Sequence, residues 1–238
     1  MNYNINDITK YMDHFPFTRE DDFSEEEIYE FLDKLDENTF ELFDYNTGAT
    51  KFVIKPCDFD YVIKIPFNYI ERDSSDYCST SGYNIYTYKD KLSFTGAKMN
   101  DGEWGWDYCA LEEKIFKTAK KEGWDRFFTE IEQVREITQY PTYVQKRIRM
   151  YNTTNRKRSE EYLNRSKEIC MSNRVRYSCP GWWADVLESF KGREENFLDF
   201  LDFLKEYNLD DDLHANNVGY DIETRFPVIC DYGGFNEY

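Results

Sequence analysis

Asp212-Leu213-His214-Ala215-Asn216-Asn217 and, after a short intervening segment, Pro227-Val228-Ile229-Cys230-Asp231-Tyr232-Gly233 are the stretches whose reading decides the fold. Val218–Ile229 lies between Asn217 and Cys230 and carries turn residues at Asp221–Thr224, which predicts a hairpin. Such a hairpin sets the residue before its first strand beside the residues after its second. Asn217 and Asp231 are therefore expected at neighbouring strand ends, with Asp212 adding a second carboxylate five residues before Asn217. Carboxylate and amide oxygens brought to one place suit Mg²⁺, above all beside phosphate.

Working outward, Phe197, Leu198, Phe200, Leu201, Leu204 and Tyr207 form one wide apolar face, a helix over 194–207. A second helix is expected at 181–190, and a basic, polar stretch covers 146–176. Strands are expected at 126–135 and 140–149. Over Tyr108–Lys121 the period is helical, through Leu111, Ile115, Phe116 and Ala119, with Gly123 as the stop. Residues 68–106 read as a polar insertion with one hairpin, Tyr83–Tyr88 against Leu92–Phe94. Before it, Lys51–Ile54 and Tyr61–Phe67 are β-rich runs joined through Pro56-Cys57-Asp58, another hairpin, and 39–43 is a short strand. Residues 1–38 read as helical, because Ser24-Glu25-Glu26-Glu27 forms a capping box ahead of Ile28, Phe31, Leu32 and Leu35.

This ordered set resembles the protein-kinase-like superfamily. Asp212–Asn217 is similar to the D-L-H-x-x-N loop of aminoglycoside and small-molecule kinases, and Asp231-Tyr232-Gly233 to the Asp-Phe-Gly position. Lys64, in Val62-Ile63-Lys64, stands at the strand lysine, Glu112 at the glutamate of the following helix, and Gly48 where a glycine-rich loop belongs. The resemblance implies an α+β, truncated two-lobed protein-kinase-like fold, with an antiparallel-sheet N-lobe and a reduced helical C-lobe. The implied divisions are a helical extension at 1–38, an N-lobe at 39–150 with its insertion at 68–106, and a C-lobe at 151–238. It implies ATP and Mg²⁺ as cofactors. Lys64, with Gly48, would hold nucleotide phosphates; Glu112 would hold Lys64 by an ion pair; Asn217 and Asp231 would ligate metal; Asp212 would orient or deprotonate an acceptor hydroxyl. The chain departs from the pattern at Gly48, alone in its loop, and at Asp210-Asp211, which replace the usual His-Arg. Few residues follow Gly233, so the acceptor-binding region is expected to be missing.

Each position also has a plainer reading. Lys64 fits an edge strand kept soluble by its charge, and Glu112 a solvated helix face on which Glu113 is its rival. Asp210–Asp212 fit a charged turn, and His214 a packed loop histidine. Trp182-Trp183 fits either core or contact surface. The formal charge of −17 argues against general affinity for DNA or anionic membranes, leaving only the basic segment 146–176 for nucleic acid. Aromatics make up 18% of the chain and sustain a packed core despite modest aliphatic content. Six scattered cysteines with no CxxC pair, and only two histidines, argue against a zinc site and for reduced thiols in a cytoplasm. No signal peptide and no membrane span are expected. Three functions remain in competition: a minimal phosphotransferase of unspecified acceptor, protein or small molecule; a nucleotide-binding, catalytically inactive pseudokinase; and an acidic module that binds a basic partner. Compact acidic chains of this kind resemble proteins of bacteria and their viruses.

Overall fold

The computed structural model describes residues 3–13, 22–24, 30, 34, 40–42, 51–66, 91–93, 108–137, 141–151, 157–207, 209–210 and 212–232. They form a mixed α+β protein with antiparallel sheets. The chain divides into two units, Met1–Glu113 with Ile131–Lys146, and Lys114–Glu130 with Arg147–Tyr238.

The first unit holds α1 (Ile5–Met12), β1 (Asp22–Ser24), β2 (Phe40–Leu42), β3 (Lys51–Pro56), β4 (Tyr61–Pro66) and β5 (Lys91–Ser93). It also holds the start of α2 (Tyr108–Glu122), β6 (Ile131–Gln133) and β7 (Tyr143–Lys146). Its main sheet runs β2-β3-β4-β7-β6, every pair antiparallel. The β3–β4 register sets Ile54 opposite Ile63 and Val53 opposite Lys64. Because side chains alternate along a strand, Ile54, Ile63, Ile65 and Val144 fill one face. Lys51, Val62, Lys64, Tyr143 and Gln145 line the other, and all nine are buried. At the turn end of the isoleucine face, Tyr11 of α1 meets Phe59 edge-on, and Phe59 stacks on Tyr61. The Asn4 side chain caps α1 by accepting from the Asn6 N–H at 3.0 Å.

Part of the N-terminal expectation is corrected here. Asp22–Ser24, inside the stretch read as helical, is a strand paired with Lys91–Ser93. Ser24 thus ends β1 rather than opening a helix, since pairing with a segment distant in sequence overrides a local capping pattern. Leu92 lies opposite Phe23; its expected hairpin partner, Tyr83–Tyr88, lies outside the described residues.

The second unit holds the rest of α2, a 3-10 turn (Asp125–Phe127), β8 (Ile148–Met150), α3 (Glu160–Ser172), α4 (Pro180–Ser189), α5 (Glu194–Glu206), β9 (Val218–Asp221) and β10 (Pro227–Ile229). Gly123, at φ +82°, ends α2, and the Trp124 N–H reaches back to the Ala119 carbonyl at 2.8 Å. That left-handed residue with its back-bond is a Schellman stop. The strand expected at 126–135 is confined to Ile131–Gln133. Phe127 instead closes the 3-10 turn on Trp124 and stacks with Phe190, Phe200 and Phe226 in the aromatic core. The strand expected at 140–149 is two, broken at Arg147, where one unit gives way to the other.

Helix α3 occupies much of the stretch read only as basic and polar. It buries just Ser166, Ile169 and Cys170, too thin a stripe to announce itself by periodicity. In α5 the inward face is Phe197, Phe200, Leu201, Phe203 and Leu204, while Leu198 is 37% exposed. Trp182 and Trp183 are core: their Nε1–H groups donate to the carbonyls of Gly219 and Arg176 at 3.2 and 3.1 Å. Among the described residues no helix is long and apolar enough to cross a membrane, and the described cysteines are free thiols.

Candidate functional site

In the second unit the hairpin does what its sequence predicts. Ile229 of β10 pairs with Val218 of β9, so Asn217 enters the hairpin where Cys230 and Asp231 leave it. The Asn217 carbonyl accepts from the Cys230 N–H at 2.9 Å and from the Asp231 N–H at 3.4 Å. Its side chain turns the other way. Nδ2 donates to both the backbone carbonyl and Oδ2 of Asp212, each at 2.9 Å. An amide has two N–H donors and one oxygen acceptor. With both donors on Asp212, the Asn217 oxygen accepts no hydrogen bond from the described residues, and it is not sealed from solvent.

The loop carrying Asp212 is fixed by short backbone bonds. Asp212 N–H donates to the Leu209 carbonyl, His214 N–H to that of Asp212, and Asn217 N–H to that of His214. Ser178 anchors the loop from outside, its hydroxyl donating to the Leu213 carbonyl at 2.6 Å. His214 Nδ1 accepts from the Asn216 N–H at 3.3 Å, which leaves Nε2 as the protonated nitrogen, 3.6 Å from Asp212 Oδ1. Burial, and then Arg176, hold the His214 pKa below its ordinary value against the opposing pull of Asp231. The ring is therefore neutral near pH 7. This is the packed-loop role open to it in the sequence.

Behind the hairpin, Arg158 donates through Nε and Nη2 to Asp185 Oδ2 at 3.1 and 3.0 Å, and the Tyr220 hydroxyl donates to the same oxygen at 2.6 Å. Tyr220 belongs to β9 and Asp185 to α4, so the network ties the strand that follows Asn217 to a core helix. Gly181 leaves the guanidinium its place: a Cβ there would come within 2.6 Å of Arg158 Cζ. On the far side of β10, Thr129 donates to the Ile229 carbonyl through N and Oγ1, and the Tyr232 hydroxyl donates to the Thr129 carbonyl.

In the first unit Lys64 and Glu112 come together, Nζ to Oε2 at 2.8 Å, with their side chains 5% and 0% exposed. The other oxygen, Oε1, is taken by Lys51 Nζ at 2.6 Å. Glu113 faces elsewhere and accepts from the Gln133 N–H at 3.2 Å. It is not the partner of Lys64 that the sequence allowed it to be. Lys51 was not legible as a site residue, because a lysine at the start of a strand reads as a solvated end. The signal available was parity: once Val53 faces Lys64, Lys51 shares its face.

Gly48, expected to hold phosphate, lies outside the described residues, as do His14, Asp211 and Gly233. No group of three or more His, Cys, Asp or Glu placed to hold a metal ion occurs among the described residues. Mg²⁺ does not require one, since it is commonly held by one or two protein oxygens with phosphate and water completing its octahedron. The open Asn217 oxygen and the partly exposed Asp231 fit that smaller demand. Comparison with protein-family models, with curated proteins and with solved structures returned no match to this chain.

Proposed function

We propose that this chain is a kinase-like protein that binds ATP with Mg²⁺ and serves as a minimal phosphotransferase. The observation that carries the reading is the disposition of Asn217. Its two amide hydrogens are spent on Asp212 and its carbonyl on the residues entering Asp231, so its side-chain oxygen is left for a cation. A solvated charged turn has no need of such an arrangement. The buried Lys64–Glu112 pair lends separate support from the first unit: a buried ammonium needs a counter-ion, and this one is held in a fixed direction by it.

Phosphoryl transfer asks a protein for positioning and for neutralised charge more than for covalent help. In this reading Lys64 binds phosphate oxygens and Glu112 orients Lys64. Asn217 and Asp231 hold Mg²⁺, which when bound supplies charge neutralisation on the phosphates. Asp212, oriented by Asn217, accepts the proton of an acceptor hydroxyl. The two-lobed architecture and a cytoplasmic setting with reduced thiols belong to the same proposal.

The test is calorimetric titration of ATP into the wild type and Asp231→Ala, each with and without Mg²⁺. Micromolar binding that requires Mg²⁺ and is lost in the variant is the expected result. A folded wild type that binds no ATP under either condition ends the nucleotide reading and leaves capture of a basic partner as the function to pursue.

A further inference from the structure

Lys51 and Lys64 stand on adjacent strands, on one face of the sheet, diagonal to each other in the register. Each donates to its own oxygen of Glu112, at 2.6 and 2.8 Å, and the three side chains are 2%, 5% and 0% exposed. Taking an ammonium out of water costs several kcal/mol before any pairing, by rough estimate, and an apolar side chain of the same length would fill the position of Lys51 without that cost. Packing therefore gives no reason for the second ammonium on this face. A role for Lys64 alone gives none either, since one lysine already suffices to engage Glu112. The chain also has a single glycine, Gly48, in the stretch leading to β3, where the resemblance calls for a loop of backbone N–H donors. A lysine carries three rotatable donors on a flexible stem, and Glu112 accepts one from each of these two.

We propose that Lys51 is a second phosphate-binding residue, and that Lys51 and Lys64 together form a two-ammonium seat for the polyphosphate of a nucleotide. Glu112 is the shared counter-ion that keeps both ammoniums on one face. Lys51 supplies charge where a glycine-rich loop would supply backbone dipoles. This inference rests on the ATP-binding reading above and adds to it a residue that the resemblance does not assign.

Two measurements test it with the full chain. The first is titration of MgATP and of magnesium tripolyphosphate into wild type, Lys51→Met and Lys64→Met, with folding checked by circular dichroism. Loss of about tenfold or more in affinity for both ligands in both variants is expected. Retention of wild-type affinity in folded Lys51→Met, alongside loss in Lys64→Met, overturns the role of Lys51 and leaves the nucleotide reading intact. Absence of MgATP binding by the wild type removes both. The second needs no variant. ATP acylated on its γ-phosphate transfers its acyl group to a lysine amine held against the phosphates, as the amine attacks the carbonyl and ATP departs. Peptide mass spectrometry of the treated wild type is expected to find the acyl group on Lys51 as well as on Lys64. Modification of Lys64 alone overturns the proposal.

Discussion

Glu112 carries two charges that depend on it. Replacing it with Gln keeps the shape but leaves two buried ammoniums facing a neutral amide. Breaking a buried pair by removing one partner costs about 3–5 kcal/mol, and Glu112→Gln is expected to lose at least that in urea denaturation, with an unchanged m-value. A loss below about 1 kcal/mol, the range of exposed ion pairs, would mean the triad is solvated in solution. His214 makes a second residue-scale prediction. Its pKa is lowered in the fold, by burial first. As pH falls through the ordinary imidazole value near 6.5, the unfolded chain takes up a proton that the folded chain resists, so the contribution of His214 to stability is present above that pH and is lost below it. Wild type should therefore lose more Tm than His214→Gln between pH 7.5 and pH 5.5; equal losses would show that the ring titrates normally. At this scale the sequence disclosed Asp212, Asn217, Asp231, Lys64 and Glu112, because spacing and order are sequence properties. It hid Lys51, whose meaning depends on which residue faces it across a strand pair.

Elements were legible where their period was strong. The β3–β4 and β9–β10 hairpins and helices α2, α4 and α5 stand where turn residues and apolar spacing put them. Two misreadings have one physical origin, that the deciding partner lies far away in sequence. Asp22–Ser24 is a strand because Lys91–Ser93 pairs with it, and Phe127 leaves the expected strand because the core of the second unit takes its ring. Helix α3 failed to show because its buried stripe is so narrow. The β8–β9 pairing carries a prediction of its own. A Cβ on Gly219 would meet the Arg149 carbonyl oxygen at 2.4 Å and Ile148 Cδ1 at 2.7 Å. The oxygen is backbone and cannot swing aside, so Gly219→Ala must force the strands apart. A cost of about 1–3 kcal/mol, typical of overpacking, is expected in the same denaturation assay. An unchanged midpoint would mean that β8 does not pack on β9 as described.

For the molecule as a whole, acidic residues outnumber basic ones by 47 to 30. Self-repulsion of that size weakens a compact state and is relieved by screening. Raising NaCl from about 0.01 M to about 1 M shortens the screening length from about 30 Å to about 3 Å, and apparent Tm should rise by about 2–4 °C, the shift that about 1 kcal/mol brings in a chain of this size. A falling Tm would put the balance with surface ion pairs such as Arg165 with Glu194 instead. The α+β class was legible from the alternation of strand and helix patterns. The discontinuous division into units was not, since nothing local marks Lys114–Glu130 as grouping with residues from Arg147 onward. The buried tryptophans of the second unit have an optical consequence. Trp182 is sealed from water, with its indole N–H on the carbonyl of Gly219, two residues past Asn217. Its fluorescence is thereby tuned to the seating of β9, emitting toward the blue while the strand is docked and reddening once water reaches the ring. The strand that follows Asn217 thus carries its own lamp.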